Sequence, residues 1–212
     1  NRNDWIWEQT LTYDHTWNEH HITALGGYTA EERNGIWLGG SRENFPGTAD
    51  EILYLSAGND TTQMNFQGAN DEALTSLLFR VNYTFKNKYL LTVSMRSDKS
   101  SRFTKANRTG NFPSASVGWN MTDESFVQGL DFLDRLKLRA SYGVLGNQAS
   151  ASGYPSTGAV SSALYGIFGP DESLNQGATL LSLSNANLQW ETSRQADIGV
   201  EMGFFDGRLA ME

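Results

Sequence analysis

The residues best able to do acid–base or metal chemistry are the only three histidines, His15, His20 and His21, which lie close together beside a short polar break. A zinc site needs its ligands to converge on one point, but neighbours such as His20 and His21 point to opposite faces of a strand. They read as interfacial polar residues. Asn59, Asp60, Asn70, Asp71 and Glu72 supply oxygen donors in what reads as one loop, without the Asp-x-Asp-x-Asp-Gly spacing of a preformed calcium loop. Ser100-Ser101 has no histidine at readable range, and neither a Gly-x-Ser-x-Gly elbow nor a phosphate-cradling glycine loop occurs. Asp197 and Glu201 share one strand face but stand about 13 Å apart by strand rise, too far for the usual glycosidase pair. No catalytic residue, metal or cofactor is expected. The residues that suit binding are Tyr154, Tyr165 and Phe168, which follow Gly146-Asn147-Gln148 in a Gly/Ser-rich segment. Their flat rings suit stacking on a sugar or packing on a peptide, with plain loop packing as the bland alternative.

Composition narrows the classes further. A net charge of -8 argues against nucleic acid, whose binders displace counterions with a basic face. The absence of cysteine removes disulfides, thiolate metal sites and cysteine nucleophiles together. Mean hydropathy is -0.46, and no run of about 18 apolar residues exists, a test that is blind to membrane strands because they are apolar on one face only. The opening NRNDWIWEQT lacks the layout of a secretion signal, so a signal removed earlier or lying upstream is expected.

Period-two alternation gives the elements. Leu77, Phe79, Val81, Tyr83 and Phe85 oppose Arg80, Asn82 and Thr84; after Lys86-Asn87-Lys88 the pattern restarts with Tyr89, Leu91, Val93 and Met95. Val117 and Trp119, then Leu136, Leu138 and Ala140, then Ile198, Val200, Met202 and Phe204 continue it, and Asp206-Gly207 is a hairpin signal. Leu11 and Tyr13 precede a turn at 17–19, and Ile22, Ala24, Gly26 and Tyr28 follow it. The reading is all-β, with about eight sequential antiparallel strands and the last one cut short. Leu91, Val93, Val117, Trp119, Leu138, Ala140, Ile198 and Val200 are expected on one face, with Arg96, Asn120, Arg139 and Asp197 on the other.

The connections alternate in length. Those at 17–19, 86–88 and 205–207 are tight, and those at about 39–74 and 146–186 are long, with 99–110 and 123–134 near equal. That asymmetry belongs to outer-membrane barrels, whose periplasmic turns are tight and whose outer loops are extended. Tyr13, Trp17, Tyr83, Phe85, Tyr89, Trp119 and Phe204 fall near the tight turns with apolar-face parity, as a periplasmic girdle would. Arg194 shares that parity but stands roughly 23 Å above Phe204, close to the edge of an apolar band about 25 Å tall. The loop from Ala149 to Asn185 should lie at the end opposite Lys86-Asn87-Lys88.

The stretches LLFRVNYTFKNKYLLTVSMRSDKSSRF, NRTGNFPSASVGWNMTDESF and LDRLKLRASYGVLGNQ resemble the barrel of SusC/RagA-type TonB-dependent transporters. NLQWETSRQADIGVEMGFFDGRLAME continues the likeness, and TLTYDHTWNEHHITALGGYTAEER does so more loosely; Lys99 stands where that family usually has Gly. The resemblance implies that residues 1–212 are one segment of an up-and-down transmembrane β-barrel of about 22 strands. It implies that the plug domain, TonB box and closing C-terminal strands lie outside this sequence. It also implies a SusD-like surface lipoprotein, the TonB complex and outer-membrane lipid as partners, with import of a glycan fragment or oligopeptide as the activity. The competing readings are a soluble carbohydrate-binding β-sandwich, motivated by Trp5, Trp7 and Trp37, and a glycoside hydrolase, which the carboxylate spacing disfavours.

Overall fold

The computed structural model describes residues 1–50, 54–122, 124–127, 129–130, 132–149, 158 and 160–212, with the backbone alone at Ala163 and Phe168. Its strands are β1 (Arg2–Trp17), β2 (His20–Ser41), β3 (Met64–Phe85), β4 (Tyr89–Ser100), β5 (Thr109–Asn120), β6 (Leu133–Asn147), β7 (Val160–Phe168), β8 (Ser173–Leu180), β9 (Glu191–Phe204) and β10 (Leu209–Met211). Eight form one sheet in the order β1-β2-β3-β4-β5-β6-β9-β10, and β7-β8 form a separate two-stranded sheet. The sequential order expected of an up-and-down wall is therefore observed, with β1 and β10 as its edges.

Two expectations are corrected. The segment 149–185 is not all loop, because β7 and β8 pair antiparallel from Phe168↔Ser173 to Val160↔Leu180. A register irregularity between Ser161 and Leu164 breaks the alternation that would have announced them. The long connection at 39–74 shrinks to 42–63, since β3 begins at Met64. Its first residues, including Asn65, Gln67, Asn70, Asp71 and Glu72, are too polar to carry a one-faced apolar pattern.

The chain forms two compact units, residues 1–6 with 31–73 and residues 7–30 with 74–212. In the first, Arg42 gathers the connection 42–63. Its guanidinium donates to the carbonyls of Ser56 and Gly58 at 3.4 and 3.2 Å, to Asp60 at 2.5 Å and to Gln63 at 3.1 Å. Trp37 and Phe66 lie across glycines, so that a Cβ at Gly68 would stand 2.3 Å from the indole and one at Gly39 2.0 Å from the phenyl ring.

In the second unit the register fixes both faces, because cross-strand partners share a face. One row runs Tyr83, Leu91, Val117, Ala140, Ile198, and the next runs Phe85, Tyr89, Trp119, Leu138, Val200. The opposite face carries Asn82, Thr92, Ser116, Ser141, Asp197 in one row. Side chains there bond across strands, Thr92 Oγ1 donating to Asn82 at 3.0 Å and Ser94 sharing a 2.7 Å bond with Ser114. Both predicted face sets are thus observed together. The apolar rows are left exposed, with Ile198 89% and Leu11 78% exposed. Among the described residues, the buried hydrophobics are Ala30, Phe103, Phe112 and Val127. A water-soluble sheet of this size would cover its apolar rows with a second layer.

Candidate functional site

The tight connections gather an aromatic belt at one end of the second unit. Rings stack in sequence from Tyr13 to His15 (6.1 Å between centroids), Trp17 (5.8 Å), His20 (5.4 Å), Phe85 (4.7 Å), Tyr89 (6.2 Å) and Trp119 (6.1 Å). His20 Nδ1 also lies 2.6 Å from the Tyr83 hydroxyl. His15 and His20 are therefore rungs of this stack. His21 faces the other way, its Nδ1 2.8 Å from Thr16 Oγ1 and its Nε2 3.3 Å from Asp14. Phe204 makes a separate cluster, stacked on Phe132 at 6.3 Å and touching Phe205. Left-handed backbone at Asn18, Lys86, Asn87, Phe205 and Asp206 lets the chain reverse within these short turns.

Sequence reasoning missed the staple that ties the turn at Glu124 to this belt. Glu124 accepts hydrogen bonds from the Trp119 indole and the Tyr89 hydroxyl, both at 3.2 Å, and its other oxygen lies 3.3 Å from Lys88 Nζ. The indole N–H holds the Glu124 carboxyl below the usual carboxylate range; desolvation opposes it, and Lys88 and Tyr89 add to it. A lone glutamate in a turn gives no sequence signal of this kind.

At the opposite end, the connection 101–108 and the returning segment 185–190 form a small core. Phe103 is 1% exposed and packs on Trp190 at 5.0 Å, while Phe112 meets the same indole edge-on at 5.3 Å. Trp190 Nε1 donates to the Arg108 carbonyl at 3.0 Å, and Asn107 Nδ2 donates to that of Leu188 at 3.0 Å. Phe112 lies in a slot that only glycine leaves open: a Cβ at Gly146 would stand 2.0 Å from its ring, and one at Gly110 2.4 Å. Below it, Arg96 pairs with Asp98 at 2.8 Å and donates to Ser76 at 3.1 Å, both partners being buried. The legible signal was the glycine pair.

Tyr154 lies outside the described residues, and Phe168 is placed by its backbone alone, opposite Ser173 in the β7-β8 hairpin. Tyr165 is exposed, and register puts it on one hairpin face with Ile167, Leu174 and Leu180. The hairpin belongs to the end of the second unit opposite Lys86-Asn87-Lys88, as strand direction requires. The oxygen donors read as one loop are separated: Asn59 caps a 3-10 turn at Asp60–Thr62, Asp60 pairs with Arg42, and Asn70 and Glu72 lie on β3. Among the described residues no group of three or more His, Asp or Glu is placed to hold a metal. Ser100 is buried and accepts from the Arg102 backbone N–H at 3.3 Å. Asp197 accepts from Ser141 at 3.4 Å, and Glu201 accepts from Arg135 and Lys137 at 2.6 and 3.3 Å.

A family model described as TonB dependent receptor-like, beta-barrel matches residues 1–212. The chain is 36% identical over 205 residues to TonB-dependent receptor P3 of Formosa agariphila, covering 96% of this chain and 20% of that protein. It is 36% identical over 146 residues to TonB-dependent receptor SusC of Bacteroides thetaiotaomicron, covering 66% of this chain and 14% of that protein. The solved RagAB peptide importer in its "closed-closed" state superposes with a TM-score of 0.82 at 28% identity, covering 98% of this chain and 22% of that one. Its "open-open" state gives a TM-score of 0.80. The chain spans about a fifth or less of the length of the relatives named here.

Proposed function

The chain belongs to the TonB dependent receptor-like β-barrel family, and from that premise we propose that it forms wall and outer loops of an outer-membrane importer for a nutrient such as a glycan fragment or an oligopeptide. The observation that carries this reading is the inverted sheet, with apolar rows exposed on one face, hydrogen-bonded polar rows on the other, and an aromatic belt at the tight-turn end. Lipid solvates such a face, and the belt sits where headgroups meet hydrocarbon. The β7-β8 hairpin and the Trp190 core then lie on the cell exterior, where a SusD-like lipoprotein and the cargo arrive. Energy comes from the TonB complex acting on parts of the parent protein outside these residues. The membrane position supplies import, with no bond made or broken by this wall.

The test uses the full-length parent. Ile198→Arg puts a cation about six residues above Phe204, near the middle of the band, and should cost roughly 2–4 kcal/mol of barrel stability. Arg194, near the band edge, should be replaceable by Leu with little change. Urea titration of heat-modifiable gel mobility reads both. Equal tolerance at the two positions refutes the lipid-facing assignment, and uptake of labelled oligosaccharide or peptide that persists without TonB refutes the energised import.

A further inference from the structure

On the apolar face of the second unit, polar side chains return at one level. Lys99 lies ten residues along β4 from Tyr89, and Arg194 lies ten residues back along β9 from Phe204. At about 3.3 Å per residue and a tilt near 45°, both stand roughly 23 Å above the tight-turn end, where an apolar band about 25 Å tall gives way to headgroups. Parity puts Lys99 on the face of Leu91 and Val93, and Arg194 on that of Ile198 and Val200. Both are exposed, and neither makes a side-chain hydrogen bond or ion pair among the described residues. Between them a cavity of about 330 Å³ is lined by Asn107, Thr109, Asn111, Gln189, Trp190 and Thr192, among others. Register flanks it with the two cations: Lys99 pairs with Thr109, and Arg194 follows Thr192 on the same face of β9. Asn107 and Trp190 already donate to the carbonyls of Leu188 and Arg108. The Asn111 and Gln189 amides and the Thr109 and Thr192 hydroxyls are left to whatever fills the cavity.

We propose that this cavity binds the phosphorylated sugar headgroup of an outer-leaflet glycolipid. The amides and hydroxyls meet sugar hydroxyls, and Lys99 and Arg194 each take a phosphate. Cationic side chains at a membrane edge recognise anionic headgroups, and a few placed polar groups beside an indole suit a sugar ring. In the order β4-β5-β6-β9 the two cations sit three strand spacings apart, roughly 14 Å at about 4.8 Å each. That is too wide for one phosphate and suits a headgroup carrying two. A lipid fits better than a soluble sugar phosphate, because the exposed Val93, Val117 and Ile198 lie below the cavity on the same face, where acyl chains can run. The inference rests on the reading of the apolar rows as lipid-facing.

The experiment titrates the full-length parent in detergent with bisphosphoryl lipid A and reads the bound lipid by native mass spectrometry. Lys99→Gln/Arg194→Gln should lower the affinity by about ten-fold or more, as the loss of a charge-assisted hydrogen bond predicts. Lys99→Arg/Arg194→Lys should keep it, and Asn111→Ala should weaken it. Heat-modifiable gel mobility checks folding, and if the double Gln variant fails to fold, the single Arg194→Gln is read instead. Unchanged binding in the Gln variant, equal binding of phosphatidylglycerol, or full competition by glucose 6-phosphate overturns the glycolipid site. If Ile198→Arg still destabilises the barrel, only this site falls. If Ile198→Arg is tolerated, the wall reading falls with it.

Discussion

Glu124 fixes a turn by making one carboxylate serve three donors, Trp119 Nε1, the Tyr89 hydroxyl and Lys88 Nζ. Its pKa in the folded chain is depressed, chiefly by the indole N–H. The contact therefore contributes fully above the unfolded glutamate value of about 4.3 and is lost as pH falls through the lower folded value. Titrating the full-length parent in detergent from pH 7 downward should leave the turn intact until pH falls below the ordinary glutamate value, and then raise its protease sensitivity as the contact is lost. Glu124→Gln should remove that acid transition and speed proteolysis at 121–132 at neutral pH. A wild-type transition centred above pH 5 would show another group in control. Two of the three histidines, His15 and His20, serve as flat stacking partners in the aromatic belt.

At the scale of elements, β5 and β6 are shaped by what they leave out. Gly110 and Gly146 are empty so that Phe112 can lie flat and receive Trp190, which brings the chain back from its longest excursion onto β9. Gly146→Val places side-chain atoms where the Phe112 ring is and should expel it. Trp190→Ala removes the indole that covers Phe103 and leaves a cavity, at a cost of about 3–5 kcal/mol to this local core. Both variants should insert into the membrane normally, because the apolar rows are untouched. Both should show at least several-fold faster protease nicking between 148 and 190 on intact cells. Unchanged nicking would mean that the excursion is held by other contacts.

For the molecule as a whole, the sheet divides labour between its ends: stacked rings and tight turns at one, a small aromatic core and a hairpin at the other. An isolated two-stranded hairpin is marginal in water, so β7-β8, with exposed Tyr165, Ile167, Leu174 and Leu180 on one face, is suited to be covered by something that arrives from outside. Replacing Tyr154, Tyr165 and Phe168 together with Ala in the parent should weaken lipoprotein or cargo capture while leaving barrel assembly intact. Co-purification of the lipoprotein and uptake by intact cells read the first, gel mobility the second. Full capture by the triple variant would reduce the hairpin to covering.

The wall was legible in the sequence because its signal is local. Period two from Leu77 to Phe85 and from Tyr89 to Met95 decides the strands, Lys86-Asn87-Lys88 and Asp206-Gly207 decide the reversals, and parity decides which residues share a face. Polar strand ends such as Asn65 to Glu72 escaped, since alternation says nothing where both faces meet water. Only the tertiary structure decided what depends on register between distant strands. It put Trp190 on Phe112 and Glu201 amid Arg135, Lys137 and Arg139, from sequence separations of 78 and of 62 to 66 residues. A cross-strand partner is fixed by pairing summed over whole strands, and neither member of such a pair carries a mark that names the other.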